Sequence, residues 1–318
     1  MTKTKIGLGL ASLGRPEYIN IRPHQNIDKS AEAFRSKTKS VLDEAYKNGV
    51  RYFDTAPSYG RGEEFLLDWH RSRGYKDVVL GTKWGYTYKA NWELGYNGPH
   101  EVKEHSLSKL REQWKYSKQL LSALKIYQIH SATFDSGVLE NKEVQRELMS
   151  LKKDYGLIIG LTSSGKAQTE ILEAAMRIEV DGEELFDSFQ VTFNLLEQST
   201  LSVLKKAKDK GKLLIIKEGM ANGRVFPNKH FEHYQDRYQE LIAMSKKFQV
   251  GIDALALRFC MDLVEPDYVL SGAGNIEQLR ENLKAHTFEL KGDDLHQLQS
   301  MAVDVSDYWE ERSQLEWN

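Results

Sequence analysis

A closed (β/α)8 barrel of the TIM type is the fold class that the sequence predicts, and three observations carry the prediction. Eight short apolar runs of strand character alternate with longer amphipathic runs along the 318 residues. The strand-like runs are continuously apolar, as in parallel strands buried on both faces. No Pro/Gly/Ser-rich linker or charge block divides the chain, so residues 1–318 read as one barrel domain, and eight such units fit a closed barrel better than a doubly wound sheet.

The first unit is KIGLGLA, Lys5–Ala11, followed after a polar loop by SKTKSVLDEAYKNG, in which Val41, Leu42 and Ala45 form an apolar face and Gly49 a stop. VRYFD, ending at Asp54, precedes a helix expected over Gly62–Arg73. VVLGTK runs to Lys83, before a long aromatic loop and a helix over Ser106–Leu120. KIYQIH ends at His130 before a helix near Lys142–Lys153, and IIGLTS before one near Gln168–Ile178. SFQVTF feeds a helix over Ser199–Asp209; LLIIKE ends at Glu218 before a long loop and helical segments to about Leu263. DYVLSG closes the series with NIEQLRENLK as its helix, and one further C-terminal helix is expected over Asp293–Glu311. Long loops fall at roughly residues 12–32, 84–104 and 219–232, at the C-terminal face of the strands, where a barrel builds its pocket.

Composition narrows the function classes. A net charge of −2 and a pI near 6.5 give no global attraction to nucleic acid or anionic lipid. Neither a secretory leader nor a membrane-spanning apolar stretch is present, and the single Cys260 fits a reducing compartment, so the protein reads as soluble and cytoplasmic. Nine histidines, His24 among them, form no metal motif, and His230 with His233 lacks a completing ligand. GLTSSGKA, Gly160–Ala167, falls short of a phosphate loop because Ala167 stands where a magnesium-binding hydroxyl is needed. GLGLASLG and GAGNIE lack the full G-x-G-x-x-G, and Cys260 sits in a helix interior rather than a nucleophile's turn.

The strand ends are more informative. Asp54, Lys83, His130 and Gln190 each close or nearly close a strand, with Tyr59 just beyond the second, so a barrel brings them to one mouth. Each alone has a bland explanation as a loop cap or rim group; their joint placement does not.

On FDTAPSYGRGEE (Phe53–Glu64), GTKWG (Gly81–Gly85), YQIH (Tyr127–His130), FQVTFNLLE (Phe189–Glu197) and GNIEQLREN (Gly274–Asn282), the chain resembles the aldo-keto reductase family. The resemblance implies NAD(P)H-dependent interconversion of a carbonyl, in an aldehyde, ketone or sugar, and its alcohol. It places the catalytic set on Asp54, Tyr59, Lys83 and His130, with Tyr59 as general acid/base. An adjacent Lys83 ammonium is expected to favour the phenolate, and a neutral His130 to donate toward the carbonyl oxygen. A cofactor-binding sensor of the same fold with little turnover, or a non-redox barrel isomerase or hydrolase, is the alternative.

The same resemblance implies carboxamide contacts at Thr162, Ser163 and Gln190 and a stacking ring at Phe193, with Ser163 and Phe193 departing from the common Asn and Tyr. Phosphates are expected between KEGMANGR, including Lys217, Gly219 and Arg224, and the Gly272–Asn282 segment, where Gln278, Glu281 and Asn282 match adenosine-end positions. NADPH is favoured and NADH possible, because Gly272 and Gln278 replace basic residues and Lys217, Arg224 or Arg280 must meet a 2′-phosphate. Trp84 and Tyr86 are the candidate substrate walls, Trp84 facing Phe193 across the reacting centre; Tyr308 or Trp309 is a candidate for the rim. The partner expected is a small carbonyl or alcohol, not nucleic acid or membrane. A closed barrel needs no partner strand, so the sequence specifies no oligomer.

Overall fold

In the computed structural model, which describes residues 4–21 and 28–317, eight parallel strands close into a barrel. His24 and the middle of the first long loop lie outside the described residues. The strands are β1 (Lys5–Gly9), β2 (Tyr52–Asp54), β3 (Val79–Trp84), β4 (Leu124–Ile129), β5 (Ile158–Ser163), β6 (Ser188–Thr192), β7 (Leu213–Lys217) and β8 (Tyr268–Ser271). Each pairs with its sequence neighbours, and β1 closes on β8 with Lys5 opposite Tyr268 and Leu8 opposite Ser271. All eight expected strands form, because each is an apolar run that two packed faces can bury.

Helices α1 (Ala31–Lys47), α2 (Gly62–Arg73), α3 (Leu107–Ser117), α4 (Lys142–Tyr155), α5 (Gln168–Ala175) and α6 (Leu201–Asp209) follow the first six strands. After β7 come α7 (Gln235–Phe248) and α8 (Ile252–Val264), and after β8 comes α9 (Ile276–Leu283). Helix α1 starts before the quoted run because Ser30 accepts the Ala33 N–H, which lets Phe34 extend the buried face of Val41, Leu42 and Ala45. The single expected C-terminal helix is two, α10 (Asp293–Gln299) and α11 (Val305–Ser313). Val303 N–H leaves the helical ladder to bond Leu196 O, and Asp304 then caps the N–H groups of Ser306 and Asp307. The loop after β3 holds an antiparallel hairpin in which Tyr86, Thr87 and Tyr88 oppose Lys103, Val102 and Glu101. No helix among the described residues is long and apolar enough to cross a membrane.

Two cores result from strand alternation. The larger lies between the barrel and its helices; the smaller, inside the barrel, is built on Tyr52, Ile126, Ile215 and Leu270. Tyr52 fills the interior beside two residues without side chains. A Cβ on Gly7 would fall 2.7 Å from its ring, and one on Gly81 would fall 2.5 Å from its hydroxyl. The large side chain and the two glycines thus share one volume at the floor of the mouth.

Candidate active site

Asp54 ends β2, Lys83 lies near the end of β3, and both turn inward above Tyr52. Lys83 Nζ donates to Asp54 Oδ1 in an almost wholly buried ion pair and to Thr55 O at 3.0 Å. Asp54 Oδ2 accepts from the Tyr52 hydroxyl at 2.9 Å and from Gln190 Nε2 at 2.9 Å. Gln190 Nε2 also reaches Gln128 Oε1 at 3.2 Å. A buried charge pair persists only with hydrogen bonds beyond the pair itself, and here Tyr52 on β2, Thr55 just past it and Gln190 on β6 supply them.

The turn after β2 brings Tyr59 back over this pair. Lys83 Nζ lies 4.8 Å from the centre of its ring, and the His130 ring meets it edge to face at 5.5 Å. Nδ1 of His130 is 3.3 Å from Ser58 Oγ, and His130 O accepts from Nε2 of His105 at 2.9 Å. That bond puts the proton of His105 on Nε2 and leaves its Nδ1 buried without a partner among the described residues. Burial, then the charges of Lys83, Lys217 and Arg15, hold His130 well below the ordinary imidazole range, while burial pulls His105 down to about 4. Both rings are neutral at pH 7, as expected for His130.

The phenol of Tyr59 behaves differently from the sequence expectation. Burial first, then the Asp54 carboxylate, push it well above the ordinary tyrosine value, and Arg15 is the cation that pulls it down. The charge of Lys83 is largely cancelled by its ion pair with Asp54, so the adjacent ammonium does not dominate. Tyr59 is a phenol that holds its proton.

Arg15 was not among the expected site residues. Its guanidinium, almost wholly buried, donates through Nη1 to Ser58 O at 3.1 Å and to Glu101 Oε1 at 2.6 Å. It lies 5.2 Å from the ring centre of Tyr59 and 4.8 Å from those of Tyr18 and Trp317. An antiparallel bridge between Ile19 and Trp317 carries the C-terminal tail to this point. The only trace in the sequence is a lone arginine after GLGLASLG, in a loop expected on the catalytic face.

The remaining expected residues separate by strand alternation. Gln190 is inward, and its Oε1 is buried with no partner among the described residues. Thr162, opposite Gln190 in register, accepts the Ser131 N–H at 2.7 Å and keeps its own hydroxyl proton to donate. Ser163 Oγ is also buried and unpartnered. Phe193 and Trp84 do not flank a reacting centre: each stands one residue beyond an inward side chain and therefore faces the helices. Phe193 stacks on Phe259 at 6.1 Å, and Trp84 packs on His105 at 5.6 Å, both fully buried. Tyr86 does reach the mouth, 4.9 Å from the His130 ring, and burial pushes its phenol up to about 12. Tyr308 is not at the rim; it is buried, with its hydroxyl accepting from Asn194 Nδ2 at 2.9 Å.

At the expected phosphate site, Gly272 has open space where a Cβ would stand, and Asn275 caps α9 through the Gln278 N–H at 2.8 Å. Gln278 Oε1 accepts from Gly274 N–H at 2.8 Å, and Glu281 pairs with Lys284. Asn282 is buried and bonds Ser271 Oγ at 2.8 Å. Gly219 is packed against Leu257. Arg224 cannot reach out to a phosphate. Its buried guanidinium donates to Tyr308 O and pairs with Glu311, both at 3.0 Å, and so locks α11 to the loop after β7. Lys217, in phase with the inward Ile215, points into the mouth and donates to Ser164 Oγ and Thr192 Oγ1 at 2.7 Å each.

Comparison with known proteins agrees with this architecture. The aldo/keto reductase family model matches residues 5–303. The chain is similar to the uncharacterized oxidoreductase YqkF of Bacillus subtilis (strain 168), at 26% identity over 300 residues, 89% of this chain and 87% of that protein. Among solved structures, aldo-keto reductase AKR11C1 from Bacillus halodurans, in its holo form, matches with a TM-score of 0.69 and 20% identity over 94% of this chain and 92% of that one. Glycerol dehydrogenase AKR11B4 from Gluconobacter oxydans gives a TM-score of 0.70 at 18% identity over 93% and 90%. These two structures speak for the fold, and the match of the family model over nearly the whole chain speaks for descent: the chain belongs to the aldo/keto reductase family of oxidoreductases.

Proposed function

We propose that the protein reduces an aldehyde or ketone to its alcohol with NAD(P)H, using Tyr59 as the proton donor. The observation that carries this reading is the meeting of Tyr59, His130 and the buried Asp54–Lys83 pair at one barrel mouth. Tyr59 holds its proton at neutral pH and gives it to the carbonyl oxygen as negative charge develops there. Neutral His130, its Nδ1 turned to Ser58, offers Nε2 as a hydrogen-bond donor to the same oxygen. Lys83, fixed by Asp54, holds the ring from below, with Nζ 4.8 Å from its centre.

The residues present fit a nicotinamide carboxamide. Gln190 Oε1 and the Thr162 hydroxyl offer an acceptor and a donor on adjacent inward positions, with Ser163 Oγ a further unpartnered group at that strand end. When bound, the dinucleotide supplies the hydride. The open Gly272 segment and the amides at the start of α9 suit its phosphates, with Gln278 at the border of that segment. NADPH is favoured. With Arg224 held by Tyr308 and Glu311 and Lys217 turned into the mouth, the 2′-phosphate partner is Arg280, which is exposed and paired with Glu44 at 2.8 Å.

The test is fluorescence titration with NADPH and NADH, followed by a panel of aldehydes and ketones monitored at the nicotinamide absorbance. Binding with turnover supports the reading. Binding without turnover identifies a cofactor-sensing protein, and absence of dinucleotide binding removes the proposal.

A further inference from the structure

Lys217, the last residue of β7, is a lysine whose side chain is 14% exposed and whose hydrogen bonds, among the described residues, go to two neutral oxygens, Ser164 Oγ and Thr192 Oγ1. An ammonium has three protons to donate, so one remains. The nearest carboxylate, Glu218 at 4.0 Å, is held by Arg312 through two bonds, Nε at 2.9 Å and Nη2 at 2.6 Å. Lys217, Glu218 and Arg312 therefore carry one uncompensated positive charge. Around them, Asp54 is matched by Lys83 and Glu101 by Arg15. Buried charges are ordinarily paired, and this one lacks its own partner among the described residues.

Resting on the reading of the mouth as a carbonyl-reducing site, we infer that Lys217 anchors an anionic group on the substrate, so that the preferred substrates are carbonyl compounds bearing a carboxylate. The placement favours substrate over cofactor phosphate. Lys217, opposite Thr192 in register and in phase with the inward Ile215, points into the barrel mouth, where its charge acts on His130. The expected phosphate segment has backbone amides of its own at the start of α9. An anion beside Lys217 would take the third ammonium proton and supply the missing counter-charge in one contact.

Titration gives a second signature. Burial, opposed by Glu218 and assisted by Arg312 and Lys83, brings Lys217 down to about 8. The charged groups that set this balance are Glu218, Arg312, Lys83 and Asp54. The anion preference is accordingly present below pH 8 and fades above it.

The experiment measures binding of benzoate and of its neutral analogue benzamide to the NADPH-loaded protein by calorimetry, and kcat/KM for 4-carboxybenzaldehyde against benzaldehyde. Wild type is expected to favour the carboxylate by roughly 10- to 100-fold, the strength of a hydrogen bond to a charged group. Lys217→Met should bring both ratios near one, and Lys217→Arg should restore much of the preference while near-ultraviolet circular dichroism reports the fold. Equal binding of benzoate and benzamide to wild type overturns the inference even if neutral aldehydes are reduced. So does a Lys217→Met variant that loses NADPH affinity but keeps the benzoate preference, which would assign the lysine to a cofactor phosphate. Benzoate binding to protein without dinucleotide is read in parallel, so a protein that turns over no carbonyl defeats the proposed function separately from the anion site.

Discussion

The guanidinium of Arg15 lies 5.2 Å from the centre of the Tyr59 ring while donating to the backbone oxygen of Ser58, whose hydroxyl meets His130. One buried cation thus touches the supports of both groups that would face a carbonyl oxygen. It is also the charge that offsets the upward pull of burial and Asp54 on the phenol. A general acid works best when its pKa is near the working pH, so this offset favours proton donation.

Arg15→Met should therefore slow reduction about 10-fold, a part of the 10² to 10⁴ that general acid catalysis typically contributes. The alkaline limb of the kcat profile should move to higher pH, because the phenol loses its one named stabilising cation. Arg15→Lys should recover part of the rate. Stopped-flow reduction across pH checks this, and an unmoved profile with a slower rate would reduce Arg15 to a structural role.

Tyr59→Phe should lower single-turnover reduction by about 10² to 10⁴ while leaving cofactor affinity close to wild type. The ring that packs against His130 and Lys83 is kept, and only the proton donor is lost. An unchanged transfer rate in a folded variant, measured at saturating cofactor, would defeat the assigned mechanism.

Lys83→Met leaves Asp54 buried with Tyr52 and Gln190 as its remaining donors. Breaking such a pair from one side costs about 3–5 kcal/mol, whereas removing both charges costs much less. Urea unfolding should show this loss for Lys83→Met and its partial recovery in Lys83→Met with Asp54→Leu, although neither variant should reduce a carbonyl at the wild-type rate.

The folded protein should lose stability as the pH falls through the histidine range. His105 is pulled from the ordinary 6.5 to about 4, so between these values the unfolded chain binds more protons than the native one. The stabilisation is fully present above pH 6.5 and is lost progressively toward pH 4, on the order of 3 kcal/mol from this group. His105→Gln should flatten that part of the curve of unfolding free energy against pH.

The barrel was legible because apolar runs buried on both faces leave a signal that local sequence cannot disguise, and each of the eight strands carries one. Asp54, Lys83 and His130 were legible as residues at or just past strand ends, and Tyr59 as a turn residue after β2, that a barrel must gather. The roles of Trp84 and Phe193 were misread through sequence proximity: one step along a strand reverses the face, so the neighbour of an inward residue faces the helices. Arg15 and the break before α11 depend on partners far along the chain, Ser58, Glu101 and Leu196, and no local pattern encodes them. Arg224 was a candidate for the 2′-phosphate because its buried place against Tyr308 exists only in the folded protein.

The volume that Tyr52 shares with Gly7 and Gly81 has a consequence for how this barrel can vary. A methyl group at Gly81 meets the hydroxyl that supports Asp54, so Gly81→Ala disturbs the site only in the presence of Tyr52. With a small side chain at position 52, the same methyl would fill space instead of colliding. The effect of one substitution thus depends on which came first, and the routes by which the three positions can exchange bulk are ordered: the aromatic ring must shrink before either glycine can grow.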